Sequence, residues 1–256
     1  VTLPGTNLVP FTADNYDLSL EWYNREGSSI ALAYFNKEID GFYRQGNNFG
    51  CSMPTSNIDF GNLSLVDGVC ISDGNDEFEG DTIAENAEIN IVQWFNSSEQ
   101  ITLEGIELAM QQNLDFLPYP WNGFGGAFNY THVSQRAEQP SAGLDPVFIP
   151  GVSEDSYNLI AFYEQDDWGI RFTYNYRDDY QVQTTNTLFG TGVRTVKAVG
   201  RFDMSAYYDV TDAITVSLKG YNLNESVYEE FQDVESLPRR QDFEGRTWVL
   251  TAGMKF

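Results

Sequence analysis

The sequence predicts an all-β fold. More closely, it predicts an antiparallel up-and-down transmembrane β-barrel, to which this chain supplies about nine strands. Three observations predict it. Strand-length stretches alternate apolar and polar residues with period two. The connections between those stretches alternate short and long without exception. Aromatic residues make up 15% of the 256 residues, yet mean hydropathy is only −0.37. Strands that alternate hide their hydrophobicity from an average, so a membrane barrel reads as polar overall.

The first strand spans residues 14–24, with Tyr16, Leu18, Leu20 and Trp22 on one parity against Asp17, Ser19 and Glu21. Arg25, Glu26 and Gly27 make a tight turn. Residues 28–44 read as one longer second strand carrying Ile30, Leu32 and Tyr34. An irregular Gly/Asn/Ser/Asp-rich stretch follows at 45–88. The third strand lies within 89–116, interrupted around Asn96, Ser97 and Ser98. Its apolar parity switches at Gly105, which suits a β-bulge. A turn at 117–123 holds Tyr119 and Trp121, aromatics suited to a membrane interface.

Residues 124–134 form the fourth strand, with Phe128, Tyr130 and His132 on one side. A loop at 135–154 leads to a fifth strand at 155–164. It is apolar on both parities and cannot be phased. After a turn at 165–167, residues 168–180 alternate cleanly: Trp168, Ile170, Phe172, Tyr174 and Tyr176 against Gly169, Arg171, Thr173, Asn175 and Arg177. Arginines pointing into a dry sandwich core would be costly, whereas a wet lumen accepts them. A Thr/Gly-rich loop at 181–198 precedes a strand at 199–209. A turn at 210–212 and a strand at 213–222 come next, then an acidic loop at 223–245. The last strand carries Trp248, Leu250, Ala252, Met254 and Phe256 on one parity.

The short connections are 25–27, 117–123, 165–167 and 210–212; the long ones are 45–88, 135–154, 181–198 and 223–245. An up-and-down sheet puts every second connection on one edge, and a Greek-key sandwich would scramble that order. Short turns belong on the periplasmic side and long loops outside, which sends the last strand downward to Phe256. Nine is odd, and an antiparallel barrel made from one bacterial chain closes with an even number. Residues 1–256 therefore read as the C-terminal portion of a larger barrel. The last strand should pair with residues 213–222 on one edge and leave its other edge to strands outside the chain.

The formal charge of −24 and pI near 4.1 exclude nucleic acid as a natural partner. Cys51 and Cys70 share one loop and point to a disulfide in an oxidising compartment. Closing that loop would contribute about 3 kcal/mol on a chain-entropy basis. Asp73, Asp76 and Glu77 offer oxygen ligands for a structural calcium ion, though without the spacing of a dedicated calcium loop. The single histidine, His132, reads as a strand or rim residue and leaves no Ser/His/Asp arrangement, so an enzyme is not expected.

The chain resembles the C-terminal part of a TonB-dependent outer-membrane receptor of the proteobacterial type. The resemblance rests on residues 15–23 (NYDLSLEWY), 33–39 (AYFNKEI), 104–108 (EGIEL), 174–177 (YNYR), 220–225 (GYNLNE) and 253–256 (GMKF). It implies a 22-stranded barrel holding an N-terminal plug, neither plug nor TonB box being part of this chain. It implies uptake of a scarce nutrient (a metal chelate, a vitamin-like cofactor or an oligosaccharide) driven through the TonB complex. Outer-membrane lipid, lipopolysaccharide and the barrel-assembly machinery would be partners, the last reading Trp248, Leu250, Met254 and Phe256. No cofactor is implied. Tyr43 and Arg44 at the end of the second strand, and Arg177, Asp178 and Tyr180 at the end of the sixth, are the candidate ligand-binding residues. A secreted or surface glycan-binding β protein is the competing reading, because aromatic platforms on a β scaffold also suit sugars.

Overall fold

A computed structural model describes residues 2–3, 8–47, 64–66, 69–72, 74, 77–78, 81–82, 85, 88–89, 92–137, 148–187 and 190–255. Among the described residues the architecture is antiparallel β, apart from one 3₁₀ turn at Trp121–Gly123 and one parallel pairing of Thr2–Leu3 with Val92–Asn96. Nine strands form the principal sheet: β1 (Thr12–Arg25), β2 (Ser28–Asp40), β3 (Ile101–Asn113), β4 (Phe124–Ala137), β5 (Asp155–Gln165), β6 (Trp168–Arg177), β7 (Val199–Thr211), β8 (Ile214–Tyr221) and β9 (Thr247–Met254). They lie side by side in chain order, so each of the nine expected strands is present. β1 and β9 are the two ends of the order, and the sheet is not closed within this chain. β9 pairs with β8 from Ile214↔Met254 to Tyr221↔Thr247.

The register sorts the sheet into two faces. On one face Phe128, Leu159, Tyr174 and Phe202 are level, as are Ala161, Phe172 and Met204, and Ala206 and Leu218 continue to Leu250. On the other face Asn129, Asn158, Asn175 and Arg201 share a row, and Thr173 faces Asp203. The registers also phase β5. Tyr157, Leu159, Ala161 and Tyr163 belong to the apolar face, and Ile160 and Phe162 to the polar one. Phe162 is accommodated there because it lies across from Gly125, whose missing Cβ makes room for the ring. The Arg171 guanidinium covers the same ring, 5.2 Å from its centroid.

Apolar side chains are exposed along the apolar face. Leu18 is 72% exposed, Leu20 71% and Leu250 74%. Among the described residues only Ile101 and Val196 are fully buried apolar side chains. The apolar face is bounded by aromatics at both edges. Phe124, Tyr163 and Trp168 meet near the short turns, with centroids 4.6 and 5.2 Å apart. Tyr130, Tyr157 and Tyr176 are level near the long connections, Tyr157 stacking on Tyr176 at 4.9 Å. From Trp168 to Tyr176 the strand rises roughly 26 Å. At the usual barrel tilt that is about 20 Å of height, close to the apolar band of a membrane barrel.

The long connections are more structured than the sequence implies. Tyr180–Thr187, Gly190–Val196, Val227–Gln232 and Val234–Phe243 form a second, four-stranded sheet. Residues 181–198 and 223–245, expected to be loops, are therefore largely hairpins. The sequence of Tyr180–Thr187 (YQVQTTNT) is largely polar on both parities and so carries little period-two contrast. The predicted strand 168–180 ends at Arg177 and resumes at Tyr180. The predicted strand 28–44 breaks at Gly41, whose φ of 72° turns the backbone out of the extended region. β3 runs unbroken through Gly105, where a side chain would collide with the Phe35 ring and the His132 carbonyl. Close approach explains that glycine.

The chain divides into two compact units. Residues 15–37, 103–135 and 149–256 form the unit that holds most of the principal sheet and all of the second. The other unit (1–14, 38–102 and 136–148) contains a small sheet of Thr2–Leu3, Val92–Asn96 and Tyr43–Asn47. Asn96 organises it: its side-chain amide donates to the carbonyls of Val9 (2.8 Å) and Gly41 (2.6 Å) and accepts from the Val9 amide. The expected interruption follows it. Ser97 and Glu99 are buried, and the Ser97 hydroxyl donates to Glu99 at 2.9 Å.

Candidate functional site

Three of the five candidate ligand-binding residues gather where β6 ends. Arg177 closes the ladder, opposite Ser156 on one side and Val199 on the other. The Asp178 amide donates to the Asp155 carbonyl (2.9 Å), so the chain stays tied to β5 as it leaves the sheet. Tyr180 then opens the next strand. The Arg177 guanidinium stands over the Tyr180 ring, 3.8 Å from its centroid. Its Nε donates to the Ser153 hydroxyl at 2.7 Å, and its Nη2 donates to the Gly151 carbonyl. Asp178 is held separately, accepting from the Tyr176 hydroxyl (3.3 Å) and the Asp179 amide (3.0 Å). Arg177 remains exposed. The arrangement is a fixed cation over an aromatic ring, suited to an anionic or planar group.

Tyr43 and Arg44 lie in the other compact unit, on the strand Tyr43–Asn47 opposite Asn96 and Phe95. The Tyr43 ring meets Phe11 edge-on at 5.9 Å. The side chain of Arg44 lies outside the described residues. So do Cys51, Asp73, Asp76 and Phe256, together with the side chains of Cys70 and Glu77. The disulfide and calcium expectations therefore concern atoms outside the described residues. Of the residues expected to form the assembly signal, Trp248, Leu250 and Met254 project from the apolar face and are exposed. The Trp248 ring packs against Gly220, where any Cβ would meet it at 2.8 Å.

Sequence reading missed the polar groups supplied by the second sheet. Glu230 is nearly buried there, accepting from the Tyr228 hydroxyl (2.7 Å) and from Arg194. Burial pushes the Glu230 carboxyl up, but Tyr228, Arg194 and Arg240 together hold it below its ordinary value. Burial, then the Glu230 carboxylate, pushes the Tyr228 hydroxyl well above its own. Arg240 lies over the Tyr228 ring at 5.3 Å. Lys197 bridges Glu229 (3.1 Å) and Glu235 (3.2 Å). No sequence spacing links Arg194 to Glu230; only the pairing of Arg194–Val196 with Glu230–Gln232 joins them.

Between the two sheets the chain is latched by asparagines. Asn222 is buried with φ of 52°, and its amide donates to Asp203 at 2.7 Å. Its side chain accepts from the Ser226 amide (2.8 Å) and donates to the Glu244 carbonyl. Asn224 accepts from the Phe202 amide (2.9 Å) and donates to the Gly200 carbonyl (2.7 Å), taking the place of a strand neighbour beside β7. The fragment GYNLNE thus has a structural task.

The family described as TonB dependent receptor-like, beta-barrel matches residues 1–223. No curated protein matches the chain. Among solved structures, the ferripyoverdine receptor of the outer membrane of Pseudomonas aeruginosa is similar, at TM-score 0.60 and 15% identity over 97% of this chain and 28% of that one. A variant of the ferric enterobactin receptor PfeA from the same organism has TM-score 0.56 and 16% identity over 96% of this chain and 31% of its own. The siderophore receptor PirA from Acinetobacter baumannii has TM-score 0.52 and 15% identity over 86% and 29%. The chain thus spans about 30% of the length of the solved receptors it matches. At these identities the solved structures show the fold. The match over residues 1–223 shows the family, and the chain belongs to the TonB-dependent receptor β-barrels.

Proposed function

We propose that this chain is the C-terminal portion of the barrel of an outer-membrane receptor that binds a ferric chelate and imports it to the periplasm with TonB-coupled energy. One observation carries the reading. The nine-stranded sheet exposes leucines and aromatics along one face, bounded by aromatic belts, while the other face is lined by Asn, Arg, Asp and Thr. A lipid exterior and a wet interior solvate both faces at once. In this reading the long connections face the medium and the short turns the periplasm. The plug and the remaining strands complete the barrel, and lipid and lipopolysaccharide surround it. The barrel-assembly machinery reads the last strand, and TonB engages the part that carries the plug.

The chelate is chosen over a vitamin-like cofactor or an oligosaccharide for two reasons. The similar solved structures are named for iron–siderophore cargo, and Arg177 on Tyr180 offers a cation and a ring to an anionic aromatic chelate. The test uses the full-length receptor in outer-membrane vesicles with labelled ferric catecholate and hydroxamate chelates, cobalamin and an oligosaccharide. A ferric chelate should bind, and Arg177→Ala should weaken it about tenfold or more. Binding of cobalamin or sugar alone would overturn the cargo. A full-length protein that stays monodisperse in buffer without detergent would overturn the receptor itself and return the reading to a soluble glycan-binding protein.

A further inference from the structure

A second cluster lies at the same edge of the sheet but on its apolar face, apart from Arg177. We propose that His132, Glu154 and Asp155 form a binding site for a borderline divalent transition ion such as Zn²⁺. His132 and Asp155 form the last pair of the β4–β5 ladder, and Glu154 immediately precedes β5. The Val133 amide donates to the Glu154 carbonyl at 2.8 Å. The main chain therefore fixes where all three side chains start.

The spacing fits a coordination shell. The His132 Nδ1 is 2.9 Å from Asp155 Oδ1, and one donor atom from each of the three residues lies within 4.8 Å of the others. Two ligands bound at zinc distances are themselves separated by about 2.9–3.5 Å. His132 and Asp155 already stand at that separation. Glu154 is exposed and can close the remaining gap by a change of rotamer. The Tyr130 hydroxyl donates to the same Asp155 oxygen at 2.6 Å and helps to orient the carboxylate, as hydrogen-bond partners of metal ligands do.

The donor set selects the ion. Carboxylates alone suit calcium or magnesium, and adding an imidazole nitrogen shifts preference toward zinc, cobalt, nickel or copper. Three protein ligands leave a coordination position for water or an external anion. The surroundings favour cations. The donor set itself carries two carboxylates, and the chain has a formal charge of −24.

Cobalt(II) titration of the detergent-solubilised full-length receptor, read by its visible d–d absorption, tests the site. The expected result is one equivalent present in the parent, displaced by Zn²⁺ but not by Ca²⁺, and lost in His132→Ala. Glu154→Gln and Tyr130→Phe should each weaken it by about tenfold or more. Heat-modifiable electrophoretic mobility confirms that each variant retains its barrel. Identical cobalt spectra and affinities for the parent, His132→Ala and Glu154→Gln would overturn the site, leaving His132–Asp155 as a plain hydrogen bond. Equal displacement by Ca²⁺ would overturn the assigned ion class. Neither readout depends on which nutrient the receptor carries.

Discussion

The nine-stranded and four-stranded sheets use the same antiparallel ladder and solve opposite solvation problems. The nine-stranded sheet turns its largest apolar side chains outward, Leu18, Leu20, Phe172 and Leu250 among them. The four-stranded sheet keeps a buried Val196 and a nearly buried Glu230, and it joins strands through Arg194–Glu230 and Lys197–Glu229. Backbone pairing alone does not decide which solvent a sheet needs. Side-chain parity decides it, and the same chain switches rule within a few residues of Arg177 and Tyr221.

The comparison is broken most severely by charging the apolar face. Phe172 lies midway between Trp168 and Tyr176, so Phe172→Arg should cost about 2–4 kcal/mol in urea unfolding from bilayers. Its neighbour Thr173 faces the polar side, and Thr173→Arg should cost less than about 1 kcal/mol. Equal costs would mean that the two faces are not solvated differently. Next in size is the latch between the sheets. Asn222→Ala leaves the Ser226 amide and Glu244 carbonyl without its side chain and should cost about 1–3 kcal/mol. Amide exchange should accelerate across residues 227–243 and stay unchanged across 168–177.

The smallest effect concerns pH. The Glu230 carboxyl is held below its ordinary value in the folded sheet. Its contribution is therefore present above the unfolded carboxylate value and is lost as pH falls through the lower folded one. Acidification through the carboxylate range should loosen the four-stranded sheet before the nine-stranded one, read by exchange at residues 227–232. Glu230→Gln should flatten that dependence.

The nine-stranded sheet was legible in the sequence because one of its faces is apolar. Trp168, Ile170, Phe172 and Tyr174 write period two directly into the chain, and the order of short and long connections gives the topology. The strand at 155–164 could be found but not phased. Its Ile160 and Phe162 sit on the polar face, Phe162 in space released by Gly125 and under Arg171, and neither arrangement leaves a local trace. The second sheet was hidden for the converse reason: strands such as Tyr180–Thr187 (YQVQTTNT) are largely polar on both parities and offer little period to read. Of the candidate site, Arg177, Asp178 and Tyr180 were found together because they are adjacent in sequence. Ser153 and Gly151, which hold the guanidinium, come from the preceding connection and required the register.

The asparagine latch has a consequence for how such a protein can change. Asn224 gives β7 the hydrogen bonds that a departing strand would otherwise withdraw, donating to the Gly200 carbonyl and accepting from the Phe202 amide. The ladder is thus completed before the chain turns away at Glu225. Residues 226–246, between that point and β9, can lengthen, shorten or exchange their contacts without leaving a gap in the wall beneath them. The joint separates the part that must satisfy the membrane from the part that is free to vary with whatever the surroundings offer.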